Sequence, residues 1–412
     1  MVIMLPDNPT VSVFINCKNG SRSVRRCIEG VLAQTYPHVK LLFQDGGSTD
    51  GTLDIVHEYM KKYPGRIHLN QEPDSCPEEG FFRALKACEG EIIGSSMSDE
   101  ELLPEAAAWA VEHFKNLPEA GAIYGDQYIT DIEGKIVSKG FSRSFSLESY
   151  LCREISLPFA AAFFRRDALL AAGLLIRNWT WGIGEEELWL RVAMKYPIYY
   201  RPGFVVKYAM HPDCRSFHDF QDGEKYIGDR EAFYERFFSE PDLPESIRGM
   251  KKKALAGLHL FVAENLLAFE VHSKARIHVL KAIEQQPNPN RVLDLAQKLA
   301  RAGLEWNSEM LRIHISAHLR KLPSQRIVCY GAGNNFVDLF SSGVFCAHSV
   351  VAVVDNHRQK GEVVCGVPVV SEADLSRIGH DLIIITSSNW VHELRTSAMR
   401  WVMRNSPDTC VI

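Results

Sequence analysis

The chain has 412 residues, 46% of them hydrophobic and 24% charged, with a formal net charge of −5. That length holds two or three packed domains, and the acidic balance excludes a general polyanion binder, so no nucleic-acid partner is expected. Its ten cysteines are scattered without a C-x-x-C pair, which argues against a zinc knuckle or a disulfide framework. No apolar run approaches the roughly 20 residues that cross a bilayer, so the expectation is a cytoplasmic protein.

In chain order, Val11 to Ile15 is a β-branched run that ends at Asn16-Cys17-Lys18-Asn19-Gly20 and passes into a helical pattern through Val24, Cys27, Ile28, Val31 and Leu32. Val39 to Phe43 predicts a second strand, Asp45-Gly46-Gly47-Ser48 a turn, and Leu53 to Tyr59 a second helix with Ser48 or Asp50 as its cap. A short strand, Ile67 to Leu69, precedes Glu72-Pro73-Asp74, and a helix from Glu79 to Cys88 leads to the apolar run Ile92-Ile93-Gly94. That run ends in Ser98, Asp99, Glu100 and Glu101. Two explanations stand for these acids. They are carboxylates delivered to the edge of a parallel sheet, where a hard cation can bind, or they open the next helix. Repeated βα units predict a mostly parallel, doubly wound sheet.

From about Asp219 the pattern becomes long amphipathic helices, with Leu255, Leu258, Val262, Leu266 and Phe269 on one stripe and Ile277, Leu280 and Ile283 on another. A further helix from Val292 to Ala302 ends at Gly303. A last α/β unit follows: the strand Arg326 to Tyr330, a Gly331-Ala332-Gly333 turn, the strand Val350 to Asp355 and the strand Leu382 to Thr386, a Rossmann-like outline. Phe336 stands where a small residue would let helix and strand approach, so bound NAD is not expected. The expected division is 1–218, a helical connector 219–322, and 323–412.

The ordered series Ser12 to Asn19, Ala33-Gln34-Thr35-Tyr36-Pro37, Asp45 to Thr52, Glu72 to Ser75 and Ser98-Asp99-Glu100 resembles the motifs of family 2 glycosyltransferases of the GT-A fold. The resemblance continues through Pro158 to Arg166, Gly184-Glu185-Glu186-Glu187-Leu188-Trp189-Leu190-Arg191 and Tyr208 to Pro212. It implies a nucleotide-sugar-binding sheet and an inverting transfer to an acceptor hydroxyl on a glycan, a lipid-linked glycan or a protein, in bacterial surface polysaccharide assembly. It also implies peripheral contact with the inner membrane; the helical region would serve self-association. Met97, Glu100, Phe82 and Asn16-Cys17 depart from the usual residues, and a non-catalytic sugar-nucleotide-binding subunit is the alternative. An NAD-dependent oxidoreductase working through the last unit is the other.

Carried over by that resemblance, Asp45 contacts the donor's base, Asn16, Cys17, Asn19, Asp74 and Ser98 line its pocket, and Asp99 holds Mg²⁺ or Mn²⁺ over the diphosphate with Glu100 and His211 as partners. Asp45 has a plainer explanation as a turn cap, and His211 as a structural histidine. Arg215 is a candidate for phosphate, and Trp181-Gly182 for the sugar pocket or the core. The catalytic base falls at Glu185, with Glu187 as its rival; ordinary acid preference in a first turn is the bland explanation.

Overall fold

The computed structural model describes residues 4–173, 183–211, 223–285, 287–288, 291–292, 294–295, 298–299, 410–411 and 324–386 apart from 332–333, 344, 356–357 and 379. Trp181, Gly182, Arg215, Gly303, Ala332 and Gly333 lie outside these residues, as does most of the helix expected from Val292. Two compact units are present, Met1–Leu243 and Pro244–Ile412.

In the first unit, β1 (Val11–Cys17), α1 (Val24–Leu32), β2 (Val39–Asp45), α2 (Thr52–Lys62), β3 (Ile67–Gln71), α3 (Pro77–Ala87) and β4 (Ile92–Ser95) alternate as expected. Then come β5 (Glu101–Leu102), α4 (Ala106–Asn116), β6 (Ala122–Thr130), β7 (Ile136–Gly140) and α5 (Leu147–Leu151). The unit closes with β8 (Ala162–Arg165), α6 (Arg166–Ala171), α7 (Gly184–Ala193), β9 (Ile198–Ala209) and α8 (Gly223–Phe238).

The sheet order is β3-β2-β1-β4-β8-β6-β9-β5, with β7 beside β6. Pairing is parallel from β3 to β4, antiparallel at β8 and parallel again between β6 and β9. The sheet is therefore mixed, and β1, β2, β4, β6 and β9 all point their carboxyl ends to one edge.

Alternation within β1 divides its side chains between two layers. Val11, Val13 and Ile15 pack with Cys27, Ile28 and Val31 of α1. On the other face Phe14 meets Phe81 of α3 at 5.3 Å, Phe81 meets Phe159 at 5.2 Å, Phe159 meets Phe164 at 5.5 Å, and Phe164 meets Trp189 of α7 at 4.6 Å. This chain of buried rings ties α7 to the sheet, and aromatic pairs add about 0.5–1.5 kcal/mol each beyond their burial.

The second unit contains α9 (Glu245–Arg248), α10 (Lys251–Ala268) and α11 (His272–Ile283), then β10 (Arg326–Tyr330), α12 (Asn334–Ser341), β11 (Ser349–Val354), β12 (Val363–Val364), β13 (Val367–Val370), β14 (Leu382–Ile385) and β15 (Cys410–Val411). Five strands run parallel in the order β13-β11-β10-β14-β15, and β12 is antiparallel to β13. Phe336 is wholly buried with Ile327, Cys329 and Leu382, a large ring where a dinucleotide fold uses a small residue.

The expected stripe on α11 needs correction. Ile277 is half exposed, and the buried face is Ala275, His278, Val279, Ala282 and Ile283. Small alanines let α11 lie close to α10, which brings the Nδ1 atoms of His259 and His278 to 3.1 Å. Sequence periodicity overlooked that face because two of its residues are alanine and one is histidine.

Candidate active site

The parallel edge of the first unit gathers the expected residues from five strand ends and one helix start. Asp45 ends β2, and its carboxylate accepts from the N–H of Gly47 at 3.0 Å and of Ser48 at 3.1 Å. The turn-cap explanation is thus realised, which still leaves lone pairs on a group with four acceptor positions. Asn19, at φ +57°, accepts from the Thr49 N–H at 2.8 Å and donates its own N–H to Ser48 Oγ at 2.9 Å, locking the first loop to the second.

Asp74 is held in a narrow slot. A Cβ at Gly46 or at Gly80 would collide with its carboxylate, so both positions require glycine. Burial raises its pKa against the opposing pull of Lys18, whose ammonium lies 3.5 Å away. Asn16 donates to the Pro77 carbonyl at 2.8 Å, while its buried Oδ1 has no hydrogen-bond partner. Cys17 is buried, and that burial pushes its thiol up to about 12, so it lines the loop as a small apolar group.

The acidic stretch after β4 does not open a helix: Glu101 starts β5, pairs with Lys207 of β9, and its carboxylate accepts from the Lys207 ammonium at 2.7 Å. Ahead of it, Ser96 to Glu100 is a self-bonded turn in which the Glu100 carboxylate accepts from the Met97 N–H at 2.8 Å and Ser23 Oγ donates to the Ser98 carbonyl at 2.5 Å. Glu100 is buried; burial first, then the Asp99 charge, raises its pKa to about 8. Asp99 points out of the turn instead. Because β5 pins β9, the residue two beyond that strand, His211, reaches it, with Nε2 3.3 Å from Asp99 Oδ2.

One carboxylate oxygen and one imidazole nitrogen fit a divalent cation that takes the rest of its shell from diphosphate and water. No cluster of three or more such side chains exists among the described residues. Glu100 is turned inward, bonded to its own loop, and is not beside His211 in this pairing.

The three acids that open α7 have separate fates. Glu186 is buried and bonds Arg153 through both oxygens and Arg230 of α8 at 2.9 Å. Burial works against its ionised form, but the two guanidinium groups hold it down at about 2. Glu187 is buried with Arg191 at 2.9 Å and Arg236 at 3.2 Å, and Arg191 also pairs with Glu240. Glu185 is exposed, and its charge is felt at Glu100, which puts it near the Asp99 turn. Gly184 lies against the Phe82 ring, so the residue departing from the usual asparagine carries the start of α7. Arg153, Arg230 and Arg236 left no mark in the sequence because none stands in a motif; one isolated arginine and two on α8 give no signal until the fold brings them to the glutamates of α7.

The class follows from this arrangement: an α/β sheet whose carboxyl edge carries a turn-held aspartate, a part-buried Asp–His pair and an acid-headed helix is the GT-A architecture of nucleotide-sugar enzymes. The Glycosyl transferase family 2 description matches residues 12–169, and that stretch is a family 2 glycosyltransferase domain. Chondroitin synthase of Escherichia coli is 30% identical over 160 residues, 38% of this chain and 23% of that protein. Poly-beta-1,6-N-acetyl-D-glucosamine synthase of Staphylococcus epidermidis is 26% identical over 208 residues, 47% of this chain and 48% of that protein. The chain thus spans less than half the length of these relatives. Among solved structures, S. aureus TarS 1-349 in complex with UDP-GlcNAc superposes with a TM-score of 0.51 at 15% identity, covering 74% of this chain and 84% of that one, which establishes the fold. No helix among the described residues is long and apolar enough to cross a membrane.

Proposed function

We propose that this protein is an inverting glycosyltransferase that moves a sugar from a nucleotide-sugar donor to a hydroxyl of a glycan acceptor in bacterial polysaccharide assembly. The observation that carries the mechanism is the sorting of three consecutive glutamates: two are buried against arginines, and only Glu185 stands exposed at the edge that holds Asp99. The sequence alone left Glu187 as a rival; its side chain is buried and its two oxygens are engaged by Arg191 and Arg236, which argues against its reaching an acceptor hydroxyl.

In this reading Asp45, Asn16 and Asp74 line the pocket for base and ribose. Asp99 and His211 would hold Mg²⁺ or Mn²⁺, which when bound neutralises charge on the leaving diphosphate. Glu185 takes the proton from the acceptor hydroxyl as its oxygen attacks the anomeric carbon from the side opposite the diphosphate. The C1–O bond to diphosphate breaks as the new C1–O bond forms, and configuration at C1 inverts.

UDP-N-acetylglucosamine with Mn²⁺ is the first donor to try, followed by a panel of sugar nucleotides in a thermal-shift screen, since a ligand stabilises only the state that binds it. On the donor so found, Glu185→Gln should fold and bind it normally but release nucleoside diphosphate about 10²–10⁴-fold more slowly. A wild-type rate in Glu185→Gln, or a product that keeps the donor's anomeric configuration by NMR, ends this mechanism.

A further inference from the structure

The start of α7 lacks the usual means of holding a helix end. The N–H groups of Glu186 and Glu187 reach the Ile183 carbonyl at 2.9 and 3.1 Å, but Ile183 at the cap position offers no side-chain bond to the N–H groups ahead of them. A first turn built this way frays unless tertiary contacts hold it, and Glu185 sits in that turn.

What holds it is a buried charge cluster. Arg153 donates from Nη1 to Glu186 Oε1 at 3.0 Å and from Nη2 to Oε2 at 2.5 Å, a forked geometry that fixes direction as well as distance. Arg230 donates from Nε to Oε1 at 2.9 Å, lies 3.5 Å over the Tyr226 ring and donates to the Tyr226 carbonyl at 3.2 Å. Arg153 takes up a left-handed backbone, φ +55°, unusual for a residue with a Cβ. Three parts of the chain therefore meet at one carboxylate: the segment after α5, the first turn of α7, and α8.

A single guanidinium would suffice to neutralise Glu186. The second ties α8 into the cluster. Tyr150, Tyr226 and Tyr234 also face the cluster, and burial raises all three hydroxyls, so they stay neutral there. The charge of Glu185 registers at Tyr150 as well as at Glu100.

We propose that Arg153 and Arg230, acting through Glu186, are positioning residues for Glu185: they clamp the first turn of α7 and so set where its carboxylate meets the acceptor hydroxyl. This rests on the reading of Glu185 as the base. Misplacing a reacting group by about 1 Å costs on the order of 10²-fold in rate, which sets the scale of the effect.

The test uses the full chain with UDP-N-acetylglucosamine and Mn²⁺, following nucleoside diphosphate release in Arg153→Ala, Arg230→Ala and each of these combined with Glu185→Gln. Each arginine change should lower kcat by about 10- to 100-fold with the donor KM unchanged. Neither should slow the enzyme further once Glu185→Gln is present, and added guanidinium ion should restore part of the rate to Arg230→Ala. Losses that multiply in the Glu185→Gln background, or a raised donor KM at constant kcat, overturn the proposal. Should an alanine variant fail to fold, Arg230→Lys keeps the charge without the fork; it should be slow, and a wild-type rate there also overturns the proposal. The two failures are separable. Glu185→Gln at the wild-type rate removes the base itself, whereas a slow Glu185→Gln beside fully active arginine variants removes only the clamp.

Discussion

Both units present a parallel strand that runs into a glycine-containing turn and a helix, β2 to α2 in the first and β10 to α12 in the second, and they use that edge differently. In the first, Asp45 bonds its turn while Asp99 and His211 meet at neighbouring strand ends and Glu185 is exposed at a helix start. In the second, the described edge closes on itself: Thr386 Oγ1 donates to the Tyr330 carbonyl at 3.0 Å and bonds Gly331 as well, and Phe336 packs into the core with Ile327, Cys329 and Leu382. A shared supersecondary plan thus says little about chemistry until the side chains at the strand ends are read.

The sharpest way to break that contrast is to separate the units. A fragment covering 1–243 should fold and keep sugar-nucleotide binding by thermal shift, because its core and site residues lie within one compact unit. One ending at 218, where the composition changes, should lose cooperative folding. It would lack Arg230, Arg236 and Glu240, leaving carboxylates buried beside α7 short of their counter-ions, and breaking a buried pair costs about 3–5 kcal/mol. A folded, donor-binding 1–218 would show that α8 is dispensable.

How much of this was legible in the sequence follows from what each feature leaves in the chain. The βα alternation and the order of the acidic motifs were visible because strand periodicity and turn residues are local. The antiparallel β8 and the hairpin of β6 with β7 were not, since direction of pairing is decided by contacts distant in sequence. Asp99, His211 and Glu185 were named from motif order, yet the reason for preferring Glu185 over its neighbours lies with arginines 33 to 49 residues away. The α11 stripe failed for a similar reason: alanines and a buried histidine carry little hydrophobic signal.

Next in size is the Asp99–His211 pair itself. Asp99→Ala should reduce nucleoside diphosphate release at least about 10²-fold and abolish its dependence on added Mn²⁺, because charge on the leaving group then goes uncompensated. Thr386→Val, at the corresponding edge of the second unit, should leave the rate within about twofold, since none of the proposed site residues belongs to that unit. Full activity of Asp99→Ala in excess chelator would remove the cation from the first edge and with it much of the difference between the two.

The smallest expected effect concerns pH, and here the two units should respond with opposite sign. In the second, burial, then the nearby His278 and then Lys281 lower the pKa of His259 to about 4, below the roughly 6.5 of an unfolded histidine. The unfolded chain then binds the proton first, so the stability contributed by the neutral ring is present above about pH 6.5 and is lost as pH falls toward 4, by about 3 kcal/mol at most. In the first unit Glu100 is raised to about 8, chiefly by burial, from an ordinary value near 4.3. The folded state holds that proton, so its contribution is complete below about pH 4.3 and disappears as pH rises through 8. Calorimetry of the full chain in chelator, at pH 5 and pH 8, should therefore show the transition of the second unit favoured at the higher pH and the Glu100 contribution to the first favoured at the lower. His259→Phe should flatten the acid side of the second transition, and Glu100→Gln the alkaline side of the first. If both transitions keep their pH dependence in these variants, the two buried groups are not what sets it.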